Sequence, residues 1–284
     1  MTQMTRRSFA LSGVAAALAV PAYGRKLSSF GLQLYTLRRI IDKDPARILK
    51  EVEGAGYKEV ETDLDSMPKI MPALKQTRLK AVGAHLPTDL FLTKQDRMPA
   101  ALAELKKNGI EYAICPWIDP KDRGGVEMIK RLAANLNKAG EQAHAAGLTM
   151  CYHNHAFEFA PAGQGMLIDV LLANTDPKLV SWEMDIFWVS VTGHDPIELL
   201  RKYGKRVALM HVKDLAPGIP VRFDENVPPT AFKEVGAGKL DIKRILHAGV
   251  EAGVKHFIVE QDETPGDPMA SVKMSASYLK QLDV

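Results

Sequence analysis

The sequence predicts a single (β/α)8 barrel, the TIM-barrel fold, over residues 27–284. Eight short apolar runs alternate with eight amphipathic stretches in about 255 residues, the pattern of strands and helices in such a barrel. No glycine-rich phosphate loop follows the first apolar run, which disfavours the competing open doubly wound sheet. The chain has 284 residues, 46% of them hydrophobic and 25% charged, which is typical of a soluble globular protein.

The predicted strands are short runs rich in apolar and β-branched residues. In chain order they are Ser29–Tyr35, Glu59–Asp63, Ala81–His85, Tyr112–Pro116, Thr149–His155, Leu179–Asp185, Val207–Val212 and Phe257–Glu260. Each is followed by a stretch with helical spacing of its apolar residues. These predicted helices lie near Pro45–Ala55, Met67–Gln76, Met98–Asn108, Gly125–Ala146, Gly165–Asn174, Asp195–Lys202, Asp241–Ala252 and Met269–Gln281.

Local signals mark the boundaries of several predicted helices. Three of them begin with a capping aspartate followed by proline, namely Asp44-Pro45, Asp195-Pro196 and Asp267-Pro268. Several end in a glycine just before the next strand, as at Gly56, Gly109, Gly147 and Gly253. These signals agree with the hydrophobic pattern on where each helix lies.

Residues 1–22 are predicted to be an export signal that precedes the barrel. Arg6-Arg7 stand before about a dozen apolar residues, and the segment ends in small residues at Ala22. The pair followed by Ser8-Phe9 resembles the twin-arginine signal, which exports folded proteins, so we expect a periplasmic protein. The apolar run is shorter than the ~20 residues of a spanning helix, so no membrane association is expected after its removal.

The charge balance excludes some classes of partner. The chain carries 37 basic and 34 acidic residues, and removal of Arg6 and Arg7 with the signal leaves 35 basic residues. This near-neutral protein lacks the excess positive charge of a nucleic-acid binder. Two cysteines, Cys115 and Cys151, exclude a disulfide scaffold, and folding before export makes a bridge between them optional. A homo-oligomer is possible.

Polar side chains occupy the predicted carboxyl ends of the strands, where (β/α)8 barrels place their chemistry. In chain order these are Glu61, Asp63, His85, Trp117, His153, Asn154, His155, Glu158, Glu183, Asp185, Trp188, His211, Lys213, Asp214, Glu260, Gln261 and Asp262. A purely structural barrel has no need for imidazole and carboxylate at consecutive strand ends. Mixed nitrogen and oxygen donors suit one divalent ion, such as Mn²⁺, Co²⁺, Mg²⁺ or Zn²⁺.

Five motifs carry a family resemblance. They are Tyr152–Phe159 (YHNHAFEF), Met184–Trp188 (MDIFW), His211–Asp214 (HVKD), Glu234–Gly238 (EVGAG) and Val259–Asp262 (VEQD). With these motifs the chain after residue 26 resembles the xylose isomerase-like barrels, the sugar phosphate isomerase/epimerase family. That family includes ketose 3-epimerases, inosose dehydratase, 3-dehydroshikimate dehydratase and endonuclease IV.

The resemblance implies one divalent metal ion bound by side chains from strands five to eight. By motif, Asp185, His211 and Glu260 match three of its ligands. The fourth ligand is open, because many members have glutamate where this chain has His153. His153 is favoured by spacing, since it lies 32 residues before Asp185, which lies 26 before His211. The alternative is Glu158, from the loop that follows strand five.

The resemblance also implies which residues transfer protons. A divalent ion that polarises a carbonyl stabilises the enolate that epimerases, isomerases and dehydratases share. Members of the epimerase branch use the ligands of strands five and eight, here His153 and Glu260. Members of the dehydratase branch use residues that match His155 and Lys213, the latter with a pKa lowered by the metal. Alternatively, Lys213 pairs with Asp214, and His155 only orients a metal ligand.

Substrate contacts are expected from polar and aromatic residues around the mouth of the barrel, namely Glu61, His85, Trp117, Trp188 and Arg222. The structural alternatives are a polar network at strand ends, simple packing of the tryptophans, and a solvated charge at Arg222. Arg222 lies in Leu215–Ala237, whose four prolines predict an ordered rim loop.

These observations predict a periplasmic, metal-dependent enzyme of the isomerase/epimerase type that acts through an enolate on a keto sugar or keto-glycoside. The alternatives are a lyase or dehydratase of a 3-keto-glycoside or inosose, and a non-catalytic sugar-binding barrel. A DNA-repair nuclease is disfavoured by the near-neutral charge and by ligands sufficient for only one metal ion.

Overall fold

Eight parallel strands close into a barrel in a computed structural model, which describes Leu27 and residues 29–284. Strands β1 to β8 are Gly31–Gln33, Glu59–Asp63, Lys80–His85, Tyr112–Cys115, Thr149–His153, Val180–Asp185, Val207–Val212 and His256–Val259. Each strand pairs with its neighbours in the chain, and β8 pairs with β1 to close the barrel. The predicted (β/α)8 barrel is therefore confirmed. The predicted signal at residues 1–22 lies outside the described residues.

Helices cover the outside of the barrel. Helices α1 to α10 are Pro45–Ala55, Met67–Leu74, Asp89–Leu92, Met98–Lys107, Gly125–Ala146, Leu167–Asn174, Ile186–Val191, Pro196–Tyr203, Ile242–Ala252 and Pro268–Gln281. Eight of them correspond to predicted helices, whereas the short helices α3 and α7 were not predicted. In the described part of the chain, no helix has both the length and the apolar character needed to cross a bilayer.

The predicted helix boundaries have the expected chemistry. The carboxylates of Asp44, Asp195 and Asp267 each accept a hydrogen bond from a backbone N–H in the first turn of the following helix. At the other end of α1, Gly56 adopts a φ of +108°, a left-handed conformation that favours glycine. These caps set where the helices begin and end, and therefore where each strand can start.

The two cysteines lie on opposite faces of the sheet. Cys151 packs with Ile114 and Leu209 in a small cluster, whereas Cys115 belongs to the main hydrophobic core. Ile114 pairs in register with Cys151, and successive residues of a strand point to opposite faces. Both thiols are buried and free, so the optional bridge between them is not formed.

The rim segment Leu215–Ala237 is ordered, as its prolines predicted. Its two ends form a short antiparallel ladder in which Asp214–Leu215 pairs with Phe232–Lys233. Phe232 stacks on Phe187 of α7 with ring centroids 4.5 Å apart. The segment therefore packs over one side of the barrel's carboxyl end.

Candidate metal centre

The carboxyl ends of β5 to β8 bring four potential metal ligands together. His153 ends β5, Asp185 ends β6, His211 lies near the end of β7, and Glu260 follows β8. One donor atom from each of these residues lies within 4.8 Å of the donor atoms of the others. All four side chains are buried. This is the ligand set that the sequence suggested, with His153 as the candidate ligand from strand β5.

Glu158 lies in a different environment from these four residues. Its Oε1 accepts a hydrogen bond of 2.6 Å from the Tyr152 hydroxyl, and its Oε2 accepts one of 3.0 Å from the backbone N–H of His155. Burial raises the pKa of Glu158 to about 7. Of the two strand-five candidates, His153 is therefore the one in the cluster, and Glu158 stabilises the turn after β5.

Helix α7 orients the Asp185 carboxylate. Asp185 Oδ1 accepts hydrogen bonds from the backbone N–H groups of Phe187 and Trp188, at 2.8 and 3.1 Å. Asp185 Oδ2 has no hydrogen-bond partner in the described structure, although it lies 3.7 Å from His153 Nε2 and 3.0 Å from Lys213 Nζ. A buried carboxylate oxygen that already faces an ammonium group is suited to a cation.

A deeper layer of carboxylates and imidazoles lies beneath this ligand set. Glu183 precedes Asp185 by two residues and therefore points to the same face of β6. Its Oε2 lies 2.9 Å from His153 Nδ1 and 3.3 Å from His85 Nε2, and its Oε1 lies 3.4 Å from His211 Nε2. These four residues form a second group whose donor atoms lie within 4.8 Å of one another. The sequence pattern places Glu183 among the strand-end residues without a specific role, and its spacing of two residues from Asp185 is the signal that puts both on one face.

The donors fit a divalent cation. Two imidazoles with two carboxylates are ligands that zinc, manganese and similar ions accept. The two layers and their surroundings hold five buried or nearly buried carboxylates, those of Glu61, Glu183, Asp185, Glu260 and Asp262. Burial opposes their ionisation, but neighbouring histidines lower the pKa of Glu183 to about 2. Burial likewise opposes a charged His85, but hydrogen bonds to Glu183 and Glu61 raise its pKa to about 10. The concentration of negative charge therefore favours binding of a cation.

Lys213 points into the cluster and is surrounded by carboxylates. Its Nζ lies 2.7 Å from Glu260 Oε2, 2.5 Å from Asp262 Oδ1 and 3.0 Å from Asp185 Oδ2. Burial opposes the charge, but these carboxylates raise the pKa of Lys213 well above its ordinary value. The lowered pKa expected beside a bound metal ion stays a prediction. Asp214 instead accepts hydrogen bonds from backbone N–H groups of the rim loop, so the alternative Lys213–Asp214 pair is not formed.

His155 lies beside the ligand set. Its ring centroid is 5.1 Å from that of His153 and 5.3 Å from that of Trp188. His155 Nδ1 is buried and has no hydrogen-bond partner among residues 29–284. Burial lowers the pKa of His155 well below its ordinary value, which favours the neutral imidazole.

A cavity of about 370 Å³ opens above the ligand set. Its walls are formed by Tyr35, Arg38, Asp63, His85, Pro116, Trp117, His153, His155, Lys213, Glu260, Asp262 and Glu263. Arg38 pairs with Glu263 at 2.8 Å, and Lys213 is paired as described above. The lining therefore contains four carboxylates, and its lysine and its arginine each already have a carboxylate partner.

The structure separates the predicted substrate contacts into two groups. His85 and Trp117 line the cavity. Glu61 does not, because its fully buried carboxylate lies beneath, 2.7 Å from His211 Nε2. Trp188 is only 2% exposed, because the unpredicted helix α7 turns it into a cluster with Phe232. Arg222 forms an ion pair with Asp224 on the rim and does not line the cavity.

The fold and the site define a class: (β/α)8 barrels with a mixed histidine and carboxylate cluster at the carboxyl ends of their strands. Residues 49–282 match the family described as the xylose isomerase-like TIM barrel. The chain belongs to this family.

Two curated relatives are named inosose dehydratase. The chain is 29% identical over 180 residues to the one from Clostridium botulinum (strain Alaska E43 / Type E3), a match that covers 58% of each chain. It is 25% identical over 271 residues to the one from Geobacillus kaustophilus (strain HTA426), covering 83% of this chain and 86% of the relative. In the first comparison the chain spans little more than half the length of its relative.

Two solved structures share the fold. A sugar phosphate isomerase/epimerase from Parabacteroides distasonis ATCC 8503 superposes with a TM-score of 0.73 at 22% identity, covering 94% of this chain and 98% of that one. The IOLI protein with a bound zinc atom superposes with a TM-score of 0.66 at 15% identity, covering 89% of this chain and 94% of that one.

Proposed function

We propose that the chain is a divalent-metal-dependent lyase that eliminates water, or another leaving group, from a neutral polyhydroxylated ketone. The observation that carries this proposal is that His155 and Lys213 line one cavity directly beside the histidine and carboxylate cluster. The names of the two curated relatives also support elimination over epimerisation.

His153, Asp185, His211 and Glu260 would hold the cation. When bound, a divalent ion there supplies Lewis-acid polarisation of the substrate carbonyl. The imidazole of His155 accepts the proton from the carbon next to that carbonyl, because it lines the cavity beside the ligand set.

Lys213 is placed to complete the elimination. Its Nζ donates a proton to the hydroxyl on the next carbon, so that the C–O bond breaks and water leaves while a C=C bond forms. Asp262 and Glu260 contact Nζ and hold the ammonium in place for this transfer.

The lining of the cavity favours an unphosphorylated substrate. A phosphate group would meet the carboxylates of Asp63, Glu260, Asp262 and Glu263. The positive groups of the lining, Arg38, His85 and Lys213, already have carboxylate partners. We therefore propose a keto sugar, a 3-keto-glycoside or an inosose as the substrate. Trp117, whose side chain is 37% exposed, offers an aromatic face for the sugar ring.

An epimerase or isomerase is the second candidate, and the position of Glu260 favours it. Such enzymes need a second group that returns the proton, and Glu260 lines the same cavity as His155. Both reactions begin with loss of the same proton, so only the identity of the product distinguishes an epimerase or isomerase from a lyase.

The first test is proton exchange in D₂O, followed by NMR. Metal-loaded protein is mixed with 3-keto-glycosides, inosose and ketohexoses. We expect deuterium next to the carbonyl and a dehydrated or deglycosylated product from at least one compound. A phosphorylated ketose serves as the control and is expected to show neither. An epimer without elimination supports the second candidate, and sugar binding without any exchange contradicts both in favour of a binding barrel.

We also propose that residues 1–22 direct export to the periplasm, on the evidence of the sequence. Replacing Arg6 and Arg7 with lysine is expected to keep the protein in the cytoplasm, because paired arginines define the twin-arginine signal. Fractionation of bacterial cells that express the full chain measures this. Equal periplasmic amounts of the variant and the wild type would contradict the proposal.

A further inference from the structure

The two nitrogens of His153 face two different layers of the site. His153 Nε2 points toward Asp185, whose Oδ2 is 3.7 Å away. His153 Nδ1 lies at hydrogen-bond distance, 2.9 Å, from Glu183 Oε2 in the deeper layer. One nitrogen of this ring is therefore directed at the proposed metal ligands, and the other at a carboxylate of the deeper layer.

His211 repeats this arrangement from β7, two strands further along the barrel. Its Nδ1 lies 2.9 Å from Glu260 Oε2 in the ligand set, and its Nε2 lies 2.7 Å from Glu61 Oε2 in the deeper layer. A neutral imidazole carries one proton, and both nitrogens of His211 face a carboxylate. With Glu260 engaged by a cation, the carboxylate of Glu61 is the one that accepts the ring N–H, as Glu183 is for His153. The opposite nitrogen is then free to bind a cation.

We propose that Glu183 and Glu61 are positioning residues that set the tautomers of the two metal-binding histidines. Each accepts the ring N–H of one histidine, and each thereby presents His153 Nε2 or His211 Nδ1 to the cation. Carboxylates behind metal-binding histidines hold the rings in place and make them stronger ligands. This inference rests on the metal centre of the proposed function.

Features around Glu61 and Glu183 argue against a role in packing alone. Both side chains are fully buried, and Oε1 of each has no hydrogen-bond partner among the described residues. The barrel also leaves space for Glu61, since a Cβ at Gly83 would lie 2.4 Å from Glu61 Oε1. A buried carboxylate with an unsatisfied oxygen is costly to the fold, so a contribution to the site accounts for it better.

The arrangement also favours one cation per chain over two. A second ion bound by the whole deeper group, His85, His153, Glu183 and His211, would need His153 and His211 to bind metal through both ring nitrogens. That would require each ring to lose its last proton, whereas the carboxylates of Glu183 and Glu61 are placed to accept an N–H.

The test compares the Co²⁺ affinity of Glu183→Gln with that of the wild type, by competition with a chelator. We expect roughly 10–100-fold weaker binding and a changed visible spectrum of bound Co²⁺. The matched control is Glu59→Gln. Glu59 accepts from His256 Nδ1 at 3.0 Å at the amino-terminal end of the barrel, so the control alters a similar pair outside the site and is expected to bind Co²⁺ normally.

A second measurement does not depend on the folding of the variant. In Zn²⁺-loaded wild-type protein, long-range ¹⁵N–¹H NMR is expected to show the proton of His153 on Nδ1 and that of His211 on Nε2. Protons on the opposite nitrogens would overturn the inference. An unchanged Co²⁺ affinity in Glu183→Gln would also overturn it. The same holds if the protein binds two ions per chain and the second ion requires Glu183. Failure of the wild type to bind any of these ions would instead overturn the metal centre itself.

Discussion

Replacement of Asp185 by asparagine is expected to remove metal binding and to lower activity by roughly 10³-fold or more. Polarisation by the ion is worth several kcal/mol, and each 1.36 kcal/mol changes the rate tenfold. The amide oxygen of asparagine can still cap α7, where Asp185 Oδ1 accepts from Phe187 and Trp188, so the fold is expected to persist. Metal content after dialysis and the rate of deuterium exchange measure the two effects.

The matched control is Asp195→Asn. Asp195 caps α8 through a hydrogen bond of 2.8 Å from the backbone N–H of Ile197, so the same change is made at a helix start outside the ligand set. This variant is expected to retain its metal ion and its activity. Full metal content in Asp185→Asn would show that the strand-end cluster is not the binding site.

Replacement of Lys213 by methionine is expected to abolish elimination while proton exchange continues. If Nζ protonates the leaving hydroxyl, the lyase rate falls by roughly 10²–10⁴-fold. Deuterium exchange next to the carbonyl depends on His155 and is expected to stay within about tenfold of the wild type. The two rates are measured in one NMR experiment, so that retained exchange also serves as the control for an intact site.

The same variant is expected to lower the stability of the metal-free protein. Removing the ammonium leaves the carboxylates of Asp185, Glu260 and Asp262 without their shared partner, and breaking a buried ion pair in this way costs about 3–5 kcal/mol. Thermal unfolding with and without metal measures this, and added metal is expected to recover part of the loss. Parallel loss of exchange and elimination would contradict the role given to Lys213.

The fold could be predicted from local signals because those signals agree with one another. The periodicity of α5 and its terminal Gly147 predicted Gly125–Ala146, and the structure has these bounds. Helix α7 was missed because Ile186–Val191 is buried and apolar throughout its length except for Ser190, so it lacks an amphipathic pattern. That helix directs Trp188 into the protein, which is why Trp188 does not reach the cavity.

The candidate site could be predicted in part. Residues at the carboxyl ends of parallel strands lie at the same end of the barrel, which predicted a polar cluster there. The family resemblance then selected His153, Asp185, His211 and Glu260 from that cluster as metal ligands. The sequence could not show how deep each side chain lies inside the barrel. Depth depends on the register between strands, which shifts between Trp182 and Glu183. Glu183 was therefore left without a role.

The burial of the ligands has a kinetic consequence. Since His153, Asp185, His211 and Glu260 are at most 5% exposed, an ion can enter or leave only past the cavity walls or through local opening of the barrel. Exchange with free ions is then expected to be slow compared with catalytic turnover. Metal selectivity in such a site depends on which ions are available when the chain closes around one. The ion found in the purified protein would thus record the compartment in which the chain folded.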